Sequence, residues 1–120
     1  MATFTKAHLS GAADGLAVKV AAESSTGTTV HTAVSGTTAG SFSEIHVWAH
    51  NNSAGAVTAT FEWGTTTAAD GNLTVTVPPK QGLLAVIPGL ILHNAKVLTC
   101  FVGSGDANKL LLFGFVNEIA

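Results

Sequence analysis

Apolar residues recur at every second position in almost every segment between Gly, Asn, Asp, Ser or Pro punctuation, and no other feature constrains the fold as strongly. In AVTATFEWG, residues Val57, Ala59, Phe61 and Trp63 point one way and Thr58, Thr60 and Glu62 the other. In NLTVTVPP, Leu73, Val75 and Val77 oppose Thr74 and Thr76. The sixteen threonines fit this arrangement, because a β-branched side chain with a hydroxyl suits the solvated face of a strand. Helical periodicity is hard to find, so the chain is expected to be all-β.

Strands are expected at 3–9, 15–22, 28–34, 42–50, 56–63, 72–78, 82–87, 90–93, 96–102 and 109–117, some of them merging. About eight to ten short strands imply an antiparallel β-sandwich or a jelly-roll-like barrel. At 120 residues the chain reads as one domain, residues 1–120, large enough for a single core. The prolines at 78 and 79 cannot donate ladder hydrogen bonds and should end a strand. The stretch EIHVWAHNNSAGAVTATFEW, from Glu44 to Trp63, reads as a hairpin turning at NNSAG, with Trp48 and Trp63 near each other across it. Trp63 follows the apolar face with Phe61 and is expected in the core, whereas Glu62 is expected on a solvated strand face.

The last third breaks the alternation. GLLAVIPGLIL and KLLLFGFV are apolar on both strand faces, with Leu110 and Leu112 on one side of the final strand and Leu111, Phe113 and Phe115 on the other. An antiparallel sheet with one wet face should alternate, so these strands are either covered twice within the fold or turned toward another chain. The second alternative makes Leu83, Leu84, Ile87, Leu111, Phe113 and Phe115 an interface, and closed self-association its natural outcome.

Only 10% of the residues are charged, against about 25% in average domains, and the five lysines are scattered. Nucleic-acid binding needs clustered cations to displace counterions, so it is not expected. The longest apolar run, from Leu83, contains Pro88 and Gly89 and is about half the length of a membrane span, which argues against a membrane partner. Cys100 is the single cysteine, excluding an internal disulfide, and its apolar neighbours predict a buried, inert thiol. MATFTKAHLSG lacks a charged segment followed by an apolar one, which predicts residence in a reducing cytoplasm unless the chain leaves in an assembly.

Glu44, His46, Trp48 and His50 share one strand face. Residues four apart on a strand lie ~13 Å apart, so His46 and His50 are not expected to share an ion whose ligands sit about 2 Å away. Glu44 with His46 and a third ligand from His31 or His93 is the remaining arrangement. No serine occupies a nucleophile elbow and no glycine-rich strand-to-helix turn is present, so neither an enzyme nor a cofactor is expected. Trp48 is either a contact for a partner, flanked by His46 and His50, or packed beneath a loop.

The start MATFTKAHLSGAADGLAVKVAA, the segment TTVHTAVSGTT, then ATFEWGTTT, VPPKQGLLAVIPGLILHNAKVLTCF and the closing LLLFGFVNEI resemble small virion proteins encoded by tailed bacteriophages. The resemblance runs over nearly the whole chain and is nearest to capsid decoration, or cement, proteins. These are β-rich modules added to the outside of an expanded icosahedral head, as trimers or dimers at junctions between capsomers. The resemblance implies a structural protein without catalytic residues, with the major capsid protein and sister copies as partners. It also implies synthesis in the host cytoplasm and residence at the capsid surface. Several cement proteins lace their neighbours with a long arm; here only residues 1–7 are available as a short one. The competing implication is a tail, fibre or head-spike component that binds host surface glycan through Trp48, His46 and His50.

Overall fold

The computed structural model describes residues 3–67 and 70–120, and it is all-β. Among the described residues nine strands form in chain order: β1 (Phe4–His8), β2 (Val18–Lys19), β3 (Thr28–Thr32), β4 (Phe42–Asn51), β5 (Val57–Trp63), β6 (Asn72–Val77), β7 (Leu84–Leu92), β8 (Val97–Val102) and β9 (Leu110–Ile119). They make two antiparallel sheets. The front sheet has the order β1-β9-β4-β7, with β2 also on β9, and the back sheet has the order β3-β8-β5-β6.

The pairing explains the order. β5 and β6 form a hairpin, β4 pairs β7, β3 pairs β8, and β1 and β2 pair β9, so the chain behaves as one long antiparallel ribbon with the β5–β6 turn at its tip. Rolling that ribbon sets β4 beside β9 and β5 beside β8, closing a five-strand front layer over a four-strand back layer. This is jelly-roll topology.

One consequence overturns the expected hairpin. β4 lies in the front sheet and β5 in the back, so Glu44–Trp63 is a crossing between layers, and Trp48 and Trp63 belong to different sheets. Both strands carry an apolar face that must be buried, and facing each other across the core satisfies that as well as lying side by side. Buried Asn51 holds the crossing: its Nδ2 donates to the Gly55 carbonyl at 2.8 Å and the Val77 carbonyl at 2.9 Å, while its Oδ1 accepts from the Ser53 N–H at 3.0 Å.

The core lies between the layers. Ile45, Val47, Ile87, Leu110, Leu112 and Val116 from the front meet Val57, Phe61, Leu98 and Cys100 from the back. Cys100 is fully buried, and burial, then the charge of Glu62, pushes its thiol up to about 12. The two expected strands at 82–87 and 90–93 merge into β7, which bends at two register shifts against β4. Gly89 sits within it at φ 90°, a left-handed value that favours glycine. Those shifts leave Ile87 opposite Val47, 1% exposed and inside the core, so Ile87 is not part of an outer surface. The N-terminal segment is also different from the expected arm: Phe4–His8 is an edge strand registered on β9, and residues 1–2 lie outside the described range. The strand expected at 15–22 is reduced to Val18–Lys19.

Truncating Phe61 to Ala should cost about 3–5 kcal/mol and Ile87 to Ala about 2–5 kcal/mol, read from urea midpoints. A change within about 0.5 kcal/mol for Ile87→Ala is the behaviour of a surface residue and would contradict its placement here.

Candidate functional site

The two sheets turn unlike faces to the outside. On the back sheet the outward residues are mainly threonines, paired across strands as Thr58 with Thr76 and Thr60 with Thr74. That face is built for water. The front sheet alternates as strictly, with Ser43, Ile45, Val47, Ala49 and Asn51 of β4 buried in turn. Its outward set is Phe42, Glu44, His46, Trp48 and His50, all half-buried. Direct register partners on β9 extend the same face: Phe42 opposes Ile119, His46 opposes Phe115, Trp48 opposes Phe113, and His50 opposes Leu111.

Rings at the centre of this face lie nearly parallel. The His46 and Phe115 centroids are 4.6 Å apart with 12° between planes, and Trp48 lies 5.9 Å from Phe115. The Lys6 ammonium caps the Phe115 ring at 4.4 Å, a cation–π contact from the edge strand. Close backbone approach makes the stack possible. Gly114 pairs with Val47 where any Cβ would collide with the His46 carbonyl, and a Cβ on Gly89 would come within 2.9 Å of the His46 ring.

Polar groups on the face are tied to one another. His46 Nε2 donates to Glu44 Oε1 at 2.9 Å and Asn117 Nδ2 donates to the same oxygen at 3.0 Å. Hydrogen bonds from His46 and then Asn117 hold the Glu44 carboxyl below its usual range. His50 Nδ1 is 3.0 Å from the Gly82 carbonyl and donates to it. Among the described residues no three His, Cys, Asp or Glu side chains are grouped to hold a metal ion. His31 is on the far side of the sheet: buried, it accepts the Ser10 N–H at Nδ1 (3.0 Å) and contacts Ser43 Oγ from Nε2 (3.4 Å). His93 lies past the end of β7, in a cleft of about 360 Å³ lined also by Phe42, Ile91 and Lys96.

The structure therefore gathers Trp48, His46, His50, Leu111, Phe113 and Phe115 on one face. Leu84 (38% exposed) lies on the β7 edge and Leu83 (59% exposed) in the loop before it. Phe4, 73% exposed, continues the face across Ile119. Phe42 and Ile119 were not expected on this face, although the period-two count reaches Phe42 one step before Glu44 and Ile119 two steps after Phe115.

Glu62 is not on a solvated face, contrary to the alternation of its strand. It is 1% exposed, covered by the β2–β3 loop, and accepts hydrogen bonds from Ser25 Oγ, the Gly27 N–H (2.8 Å) and Thr99 Oγ1 (2.7 Å). Trp63 is only partly buried, against the edge of the core. Burial by itself raises the Glu62 pKa, but the bonds from Ser25, Thr99 and Gly27 outweigh it and the carboxyl ends below its usual range. Burial lowers that of His31.

No protein-family model matches the chain, and neither the curated proteins nor the solved structures contain a match to it. No helix among the described residues is long and apolar enough to cross a membrane.

His31, Glu44 and Glu62, whose pKa values are all lowered in the fold, bind protons more readily when unfolded, so stability should fall as pH falls. The His31 contribution is present above its unfolded value of 6.5 and is lost below it. The contributions of Glu62 and Glu44 are present above 4.5 and are lost as pH drops through their lower folded values. Urea midpoints measured from pH 8 to pH 3 should show both declines. Glu62→Gln should lower the midpoint at pH 7 and shrink the second decline; an unaltered acid limb would show that the buried carboxylate is not linked to folding.

Proposed function

We propose that this protein is a capsid decoration module of a tailed bacteriophage: a homo-oligomer, without catalytic activity, that attaches to the outside of the head and clamps adjacent major capsid protein subunits against internal pressure. The observation that carries the reading is the unlike pair of outer faces. The back face presents threonine hydroxyls, while the front presents a half-exposed ring stack and aliphatic flanks across two ten-residue strands. A face of that kind is costly to leave in water, and larger apolar patches on small domains mark contact surfaces. Low charge fits permanent association. The resemblance of the sequence to virion proteins supports the head as the place of assembly. Jelly-roll topology alone adds no weight, since one fold serves many functions.

Attachment then uses the front face for sister or shell subunits and the exposed Leu83 and Leu84 beside it. Many copies repeated by symmetry hold tightly even when each contact is weak, because every bound copy raises the effective concentration of the next contact.

A second reading is favoured by one feature: the flat His46–Phe115–Trp48 group has the form of a stacking platform for a sugar ring. It makes the protein a tail, fibre or head-spike component that binds host glycan. A glycan-array signal lost in Trp48→Ala would favour it over decoration.

Heads lacking the protein should regain resistance to heat and low salt when purified protein is added, with bound copies visible on the capsid lattice by cryo-electron microscopy. Unchanged head survival at saturating protein would refute clamping.

A further inference from the structure

We propose that the front face is covered by a second copy of this chain, packed face to face about a two-fold axis that runs parallel to β4 and β9 and passes between them. This rests on the homo-oligomer of the reading above and gives it a face and an axis; capsid attachment can fail while it stands, because self-association is a property of the chain in solution.

The register makes the face self-complementary about that axis. Turning the sheet over around its strand direction exchanges the positions of β4 and β9 while keeping each cross-strand row. His46 of one copy then meets Phe115 of the other, and Trp48 meets Phe113, each contact occurring twice as an isologous interface requires. These residues, of which His46, Trp48 and Phe115 are stacked, lie at the middle of the face, where the usual rotation of about 30° between packed sheets displaces them least. The rotation also carries the β1 edge of one copy over the β7 edge of the other. Lys6, in the row of Asn117 and Glu44, is delivered above Ile91 of the second copy, one strand from its Glu44. The cation that caps Phe115 is thus brought to the one carboxylate of that row, twice over. At the end of the sheet, Phe4 is carried to the side holding the cleft between Phe42, Ile91 and His93. A two-fold across the strands would instead bring each β1 edge over the other copy's β1 edge, losing both the Lys6–Glu44 match and the Phe4–cleft match.

The area is sufficient. Strands of five, ten, ten and nine residues, about 4.8 Å apart, give a footprint of roughly 540 Å² per copy, or roughly 1,100 Å² over both, just above the roughly 1,000 Å² that a specific interface needs. A formal charge of -2 per chain adds little repulsion.

The test is sedimentation velocity on the full chain across a concentration series, with variants. Wild type should sediment at twice the chain mass of 12.1 kDa. Phe115→Asp should be monomeric with an unchanged far-ultraviolet spectrum. Lys6→Glu and Glu44→Lys should each weaken dimerisation at least tenfold, and the Lys6→Glu/Glu44→Lys double variant should return to within about threefold of wild type. The charge swap decides the matter even if Phe115→Asp fails to fold, since both exchanged residues reach the surface. A wild-type monomer at 200 µM would overturn the proposal and assign the face to a different protein. A dimer indifferent to Lys6→Glu and Glu44→Lys, or a trimer, would overturn the axis.

Discussion

The pairing of β4 with β9 is the constraint on which the rest of the molecule depends. Ten consecutive residue pairs, from Phe42 with Ile119 to Asn51 with Leu110, run without a shift through the middle of the front sheet. A slip of one residue would exchange the two faces of a strand. On β9 that exchange would cost little by hydrophobicity alone, because leucines and phenylalanines lie on both sides. The register is decided by β4, whose outer set includes Glu44, His46 and His50 and whose inner set has Ile45, Val47 and Ala49 at its centre. Gly114 fixes the same alignment sterically, since it allows β9 to approach the His46 carbonyl where no other residue fits. Only after this choice is made does β9 acquire an outer face that is apolar.

The two layers then divide the solvent problem unequally. The back sheet satisfies water with threonine pairs and folds a loop over its one outward acid, Glu62. The front sheet has rings where threonines would be, and the polar groups beside them bond to one another rather than outward. Its β7 edge is made a poor template for further strands by two register shifts and by Pro88, which lacks a backbone donor. Further chains are therefore discouraged from adding along that edge and invited onto the flat of the sheet, where the half-buried rings lie.

Period-two alternation made most strands legible, because burial of one face is a local property of sequence. Sheet membership was not legible for the same reason: Val57, Ala59 and Phe61 alternate identically whether β5 lies beside β4 or across the core from it. The fate of Ile87 turned on bulges in β7, which depend on the partner strand and leave no mark beyond Pro88 and Gly89. Glu62 had no local signal either, since Ser25 and Gly27 reach it from a loop some 35 residues earlier in the chain. The face itself was half visible. Leu111, Phe113 and Phe115 announced it by breaking the alternation, Phe42 and Ile119 lay further along the same period-two count, and Phe4 joined it only through register. His31 stood in sequence as a third ligand for Glu44 and His46, but its strand belongs to the back sheet and its ring points between the layers.

The direction of the proposed two-fold bears on how such a protein would hold a shell. An axis along the strands keeps corresponding ends of the two sandwiches together. The end that carries the β4–β5, β6–β7 and β8–β9 loops is bound into one unit by the Asn52 N–H to the Lys109 carbonyl and the Lys80 N–H to the Asn51 carbonyl, each near 3 Å. Leu83 projects from this end, exposed in each copy. Two copies paired face to face would therefore present two equivalent loop clusters in the same direction. A dimer of that form meets a surface bivalently, and the second contact forms at the effective concentration set by a rigid sheet pair rather than a flexible tether. Burying the rings between sisters and aiming the loops at the shell are in that case one solution, because the covered face fixes the spacing of the two exposed ends.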